Sequence, residues 1–292
     1  MQFVVFDLEW NCAGRVNKID PATQEAIPFE IIEIGAVKLD EHYQMIGKYS
    51  VCIRPRLYPI LTGPVAAVTG RLQPSLKYGL EFTDAAQGFL QWCGSDYLFC
   101  TWSESDTAAL KMNLKYYGLA DQLQVNCLDI QYLFDVLVEQ AETQRSIEYA
   151  VDFLNIAKNQ PFHQAVNDAW YTGLILQQIA EIVRHEQSGL DFISRYAFDP
   201  NLNRSYQFSL SGLATIEAAL AELRNRELTC PACGEPLLPV HDWNAEGKKI
   251  IAAFACPVHG RVTGKSRMHN KGPEQVIAQV SIRLDRDQEG HS

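Results

Sequence analysis

The chain opens on a short apolar run, Phe3-Val4-Val5-Phe6, which continues through Asp7 to Leu8 and reads as a buried strand. Two further strands are predicted over Ile31–Leu39 and Lys48–Ile53, both rich in β-branched residues, with a polar, Pro-containing loop ahead of the first. Helical periodicity follows from about Thr83 to Trp92, with Thr83 as N-cap. A short strand at Tyr97–Thr101 leads into a helix from Ser105 to Tyr117, which Gly118 ends. More helices are predicted over Asp129–Glu142, Ser146–Ile156 and Asp168–His185. Strands first, then alternation with helices, predict an α/β fold in which helices flank a mixed sheet.

The pattern weakens after residue 187. Ser188 to Ser211 is rich in Gly, Pro, Asn and Ser and reads as a connector, followed by a helix from Ser211 to Arg226. A small Cys-rich module is expected over Leu228–Leu284 and a disordered tail from Asp285. The expected division is therefore 1–187, 188–227, 228–284 and 285–292. A length of 292 residues suits one full-sized domain with a smaller one. Internal repeats and low-complexity tracts are absent.

Composition narrows the class. Hydrophobic residues make up 47% and charged residues 21%, enough for a core and a solvated surface. No apolar stretch reaches the ~18 residues of a membrane span, and the first residues lack a basic lead and a cleavage site. The expectation is a cytoplasmic protein without a membrane partner. The formal net charge of −10 lies wholly in residues 1–187, with 13 Lys and Arg against 23 Asp and Glu, whereas residues 188–292 carry 12 of each. Such acidity argues against broad duplex binding but is compatible with a single strand threaded into a metal site. Five of the eight cysteines (Cys12, Cys52, Cys93, Cys100, Cys127) are scattered among apolar segments, as reduced core cysteines are.

Candidate chemistry lies in the first 170 residues. Strand alternation puts Asp7 and Glu9 on one face and Leu8 on the other. Asp106 follows at a strand-to-helix junction, and His163 and Asp168 bracket a helix start. Each has an ordinary alternative: a solvated strand face, a helix cap, a polar loop residue. Together, four carboxylates supply hard ligands for two divalent cations, and an imidazole supplies a base near neutral pH.

These residues resemble the DEDDh subgroup of the DnaQ-like 3′→5′ exonuclease superfamily over about residues 1–186. Phe6-Asp7-Leu8-Glu9, Arg54-Pro55, Pro59-Ile60-Leu61-Thr62, Val68-Thr69-Gly70-Arg71-Leu72-Gln73 and Cys100-Thr101-Trp102 are similar to the RNA-trimming branch. That branch includes the histone-messenger 3′ exonuclease and the bacterial sporulation-kinase-pathway inhibitor. The resemblance implies an RNase H-like fold with two Mg²⁺ or Mn²⁺ held by Asp7, Glu9, Asp106 and Asp168. It implies His163 as general base, and Leu8, Thr69 and Gly70 as contacts with the terminal nucleotide. The chain departs from the family at Asn11, where Thr is frequent, and at Ser103, where Gly commonly follows the Trp.

A second site is expected downstream. Cys230-Pro231-Ala232-Cys233-Gly234 and Cys256-Pro257-Val258-His259-Gly260 are paired knuckles, suited to one tetrahedral Zn²⁺ in a zinc-ribbon module with a hairpin through Ile250–Phe254. His241 in the intervening loop is the alternative fourth ligand. Arg261, Lys265, Arg267 and Lys271 form a stretch without an acid, able to meet phosphates or remain a solvated hairpin. The leading reading is a metal-dependent 3′→5′ exonuclease on single-stranded nucleic acid, RNA favoured over DNA. A regulatory module that recruits a protein through the ribbon is the second, and a DNA proofreading or repair exonuclease the third.

Overall fold

The computed structural model describes residues 1–15, 17, 21–70, 73–120, 123–141, 144–186, 196–246, 249–270, 272 and 276–285. They form two compact units, Met1–Pro200 and Asn201–Ser292.

The first unit is built on a five-stranded sheet of order β3-β2-β1-β4-β5. Strand β1 is Gln2–Cys12, β2 Phe29–Leu39, β3 Met45–Cys52, β4 Tyr97–Thr101 and β5 Cys127–Asp129. The pairs β1–β2 and β2–β3 are antiparallel, and β1–β4 and β4–β5 are parallel, so the sheet is mixed. Alternation along β1 divides the core in two. Phe3 and Val5 join Val37, Leu39, Ile175 and Ile179 on one face, while Val4, Phe6 and Leu8 join Phe89, Phe99 and Leu110 on the other.

Helices cover both faces. They are α1 (Pro21–Ala26), α2 (Gly63–Thr69), α3 (Phe82–Cys93), α4 (Glu104–Tyr116), α5 (Ile130–Phe134), α6 (Ile147–Phe153) and α7 (Ala165–Glu186). The periodicity misplaces some ends. Thr83 is not the cap of α3: the cap position is Glu81, which makes no side-chain capping bond. The single helix expected over Asp129–Glu142 is α5 followed by a π-helical turn, Asp135–Glu139, closed by Gln140 at φ 53; Glu142 lies outside the described residues. Helix α7 starts three residues before Asp168. The strand β5 and the helices α1 and α2 are too short to carry a readable period.

The second unit is a five-stranded antiparallel sheet of order β6-β10-β9-β8-β7, with α8 (Ile216–Asn225) on one face. Its strands are β6 Ser205–Leu213, β7 Leu238–Glu246, β8 Lys249–Cys256, β9 Gly260–Asn270 and β10 Val276–Leu284. The stretch expected to connect domains is thus partly a strand: β6 pairs along β10, and α8 packs on the same sheet. The predicted helix start at Ser211 moves to Ile216, because Thr215 caps it by accepting the Ala218 N–H. Of the expected tail only Asp285 is described, and it accepts from Thr263 Oγ1. Among the described residues no helix is long and apolar enough to cross a membrane.

Candidate active site

Asp7 and Glu9 continue the face of β1 that carries Phe3 and Val5, so they point to the side covered by α7. Asp7 pairs across with Gly35 on β2 and Glu9 with Glu33. A side chain at Gly35 would put its Cβ 2.0 Å from Val166 N and 2.2 Å from Ala165 C. Only a glycine lets the first turn of α7 lie on the sheet there, and that approach delivers Asp168 to Asp7. Ligand oxygens of Asp7, Glu9 and Asp168 lie within 4.8 Å of one another.

Asp106 comes from the other side, in the first turn of α4. Its Oδ1 accepts the Leu8 N–H at 3.0 Å and its Oδ2 accepts from Ser105 Oγ at 3.4 Å. It stands beside the three grouped carboxylates, not within their group, yet its charge acts on Asp7. Leu8 is 4% exposed in the core with its N–H given to Asp106; it holds that carboxylate and is not a surface for a nucleotide. Ser103, at the cap of α4, has φ 141, a backbone region that favours the glycine common there in the resembling family.

His163 precedes α7, exposed and at φ 63. Its segment is pinned by Tyr171, whose OH donates to Gln160 O and accepts the Gln160 N–H, both at 2.8 Å, and by Asn167 Nδ2 donating to Pro161 O. The His163 N–H donates to Asp168 Oδ2 at 2.9 Å. Beside them is a cleft of about 360 Å³ whose lining includes His163, Asp168, Trp102, Phe162 and Arg145.

Three carboxyls are pushed toward the neutral form. Burial raises Asp7 well above its usual range, and Asp106, Asp168, Glu9 and Glu33 raise it further. Burial brings Asp106 to about 7 against the Leu8 N–H, and Asp168 to about 6 against the His163 N–H. Asp168 Oδ1 is buried without a hydrogen-bond partner among the described residues. Hard oxygen ligands that repel one another, with one buried oxygen left over, fit a divalent cation. Glu33, 3% exposed, was not singled out in the sequence; a lone acid within Ile31-Ile32-Glu33-Ile34 is the signal.

Thr69 and Gly70, expected to contact the terminal nucleotide, lie at the end of α2. Thr69 is 7% exposed with Oγ1 donating to Val65 O, and Gly70 follows at φ 64 with open space around its Cα; Arg71 and Leu72 lie outside the described residues. The segment before α2 is held by two buried polar residues. Glu30 accepts the N–H groups of Arg56, Leu57 and Tyr58, and Asn11 donates to Tyr58 O and Ile60 O while accepting Thr62 N–H. Asn11 thereby serves as a clamp for this segment.

In the second unit Cys230, Cys233, Cys256 and His259 bring one ligand atom each within 4.8 Å of one another. Cys233 Sγ is 3.6 Å from Cys256 Sγ, and His259 Nδ1 is 3.7 Å from Cys230 Sγ and from Cys256 Sγ. Tetrahedral ligands about 2.3 Å from one ion stand about 3.8 Å apart, so the set fits Zn²⁺. His241 is exposed on β7 opposite Ala253 and outside the group. Gly234 and Gly260, at φ 77 and 76, turn the chain after each knuckle. Burial disfavours the Cys256 thiolate, but N–H groups of His259 and Val258 and the His259 and Cys230 side chains bring it down to about 6.

A family model, RNase_T, described as an exonuclease, matches residues 4–176. Among solved structures the chain is similar to the nuclease domain of 3′hExo, a DEDDh family member bound to rAMP. That likeness has a TM-score of 0.53 and 15% identity, over 65% of this chain and 97% of that one. The chain is also similar to cell-death related nuclease 4 (TM-score 0.51, 17% identity, 62% and 64% covered). Exonuclease I of E. coli in complex with dT13 is a third (TM-score 0.51, 12% identity, 86% and 55% covered). At these identities the likeness is one of fold. No curated protein sequence matches significantly.

Proposed function

The chain belongs to the RNase_T exonuclease family, and we propose that within it the protein is a divalent-metal-dependent 3′→5′ exonuclease of single-stranded nucleic acid, RNA in preference to DNA. The observation that carries this reading is the convergence of Asp7, Glu9 and Asp168 within 4.8 Å, with Asp106 behind them and His163 bonded to Asp168 through its backbone. Asp7, Glu9, Asp106 and Asp168 hold Mg²⁺ or Mn²⁺, two ions in the full assignment. Bound there, such ions polarise a phosphodiester and make water a stronger acid.

The protein's own groups do the rest. His163, exposed beside the cleft, takes the proton of the attacking water at its ring nitrogen. The cleft next to Asp168 offers Trp102 and Phe162 as apolar walls for the end nucleotide. Thr69 and Gly70 contact the terminal nucleotide. Support for RNA is the resemblance of Phe6-Asp7-Leu8-Glu9 to the RNA-trimming branch, and the rAMP complex of one structural neighbour; dT13 bound to another keeps DNA in the test. In the second unit Cys230, Cys233, Cys256 and His259 hold one structural Zn²⁺ in a ribbon-like module, and the cytoplasm is the proposed compartment.

The test is digestion of matched 5′-labelled RNA and DNA strands in Mg²⁺ or Mn²⁺, beside Asp7→Ala. A ladder shortening from the 3′ end, faster on RNA and absent from the variant, is expected. A faster DNA ladder overturns the sugar preference, and no ladder on either strand overturns the enzyme reading.

A further inference from the structure

In a chain of net charge −10, strands β6, β9 and β10 contain no Asp or Glu. Alternation sorts their side chains. Val262, Ser266, Val280 and Ile282 are buried with the core, and Tyr206 and Phe208 pack on that same side. The opposite face is open. On it Lys265 and Arg267 stand exposed two residues apart on β9, with Ser281 and Gln279 directly across on β10 and Gln207 beyond Ser281 on β6. Arg283, exposed on β10, is a diagonal neighbour of Lys265, a separation of roughly 7–8 Å in a sheet.

Several surface cations elsewhere are neutralised by a neighbouring acid. Arg54 and Arg56 meet Glu81, Arg145 meets Glu139, Lys158 meets Asp152, and Arg224 meets Asp242. Arg261, expected to belong to the acid-free stretch, is also neutralised, by Asp285 at 3.2 Å; Lys271 lies outside the described residues. Lys265 and Arg267 have no acidic partner among the described residues. Like charges kept side by side on a sheet cost stability until an anion covers them. On β6, β9 and β10 this face carries no Phe, Tyr or Trp, and its one imidazole, His269, is held by Gln279 at 3.2 Å, so it suits a polyanion's backbone more than stacked bases.

We propose that this open face is a second contact with substrate: it binds the phosphate backbone of single-stranded nucleic acid through Lys265 and Arg267. The identity of the polyanion rests on the exonuclease reading. A tethered second contact raises the local concentration of strand without any fixed placement of the two units.

The full chain is used in an Asp7→Asn background, which stops hydrolysis and leaves zinc in place. Binding of a fluorescent 30-residue uridine strand is measured against salt for this protein and for added Lys265→Gln/Arg267→Gln. The double substitution should weaken binding about tenfold and flatten the slope of log affinity against log salt by about 1.4, about 0.7 per lost phosphate contact. In the active background it should leave kcat/KM on a trinucleotide unchanged. Lys265→Arg/Arg267→Lys should bind as the parent does, and matching thermal unfolding of all variants excludes misfolding. Equal affinity and equal slope in the Gln variant overturn the proposal and leave the face to an acidic protein partner. If the active parent cleaves the trinucleotide but binds the long strand without salt dependence, the proposal falls and the enzyme reading stands; if it neither cleaves nor binds, both fall.

Discussion

Asp168 uses one oxygen on the His163 N–H and leaves the other buried without a partner, and this asymmetry has consequences in pH. Its carboxyl and that of Asp106 titrate near 6 and 7 in the fold, above their usual 3.8. The folded protein therefore holds more protons than the unfolded chain between those values, so stability falls as pH rises through 6–7. For Asp106 the difference is on the order of a few kcal/mol. Melting in metal-free buffer should show Tm dropping from pH 5 to pH 8, and Asp106→Asn should flatten that drop. Mn²⁺ should restore more Tm at pH 8 than at pH 5, since protons no longer compete for the oxygens. A second outcome separates His163 from its neighbours. Because the backbone N–H holds Asp168, His163→Ala removes the ring and keeps that bond. Turnover should fall by about 10²–10⁴, with Mn²⁺ affinity by calorimetry nearly unchanged; wild-type rates would remove the base assignment. Alternation placed Asp7 and Glu9 on one face of the strand, and only the joint presence of Asp106, His163 and Asp168 made the pair a candidate site. Glu33 was not legible, because one acid within an apolar run looks like part of the strand until its cross-strand partner Glu9 is known.

At the scale of elements, the site depends on where α7 begins. Gly35 admits Ala165 and Val166 against β2, and a methyl group there would stand 2.0 Å from a backbone nitrogen. Gly35→Ala should cost about 1–3 kcal/mol, the usual range for overpacking, and because the strain falls on the turn that carries Asp168, Mn²⁺ affinity should drop with it. Melting and calorimetry on one sample decide this: loss of stability with unaltered affinity would mean α7 shifts without moving Asp168. The sequence made the strand and the helix readable but not their contact, which depends on a glycine far from the helix in the chain. A similar limit hid β6. Ser-Tyr-Gln-Phe-Ser-Leu alternates as a half-buried strand should, but it follows a stretch of turn-forming residues and its partner β10 lies more than sixty positions away. Conversely, the helix start expected at Ser146 lies one residue from that of α6, because such a signal is local: Ser146 Oγ accepts the Tyr149 N–H three residues on.

The whole molecule is two bodies with separate cores, and they should lose structure separately. Unit one buries apolar residues on both faces of its sheet. Unit two has a single-sided core into which Cys230 and Cys256 are themselves packed, at 2% and 3% exposure. Zn²⁺ held by this set would join the turn before β7 to the turn between β8 and β9, and binding to such sites supplies about 10–16 kcal/mol of apparent free energy near neutral pH. That exceeds what a small one-sided core holds in reserve. Calorimetry of the zinc-loaded protein should therefore resolve two transitions. A strong chelator, or Cys256→Ser, should abolish or lower the one belonging to the second unit. The other should keep its Tm once Mg²⁺ is restored, and hydrolysis of a trinucleotide should survive. Acid should act like the chelator, because the Cys256 thiol, near 6, competes with the ion for its sulfur as pH falls through that value. A single transition that moves as one under chelation would show that the ion stabilises both units, and the separation of the two cores would then be wrong.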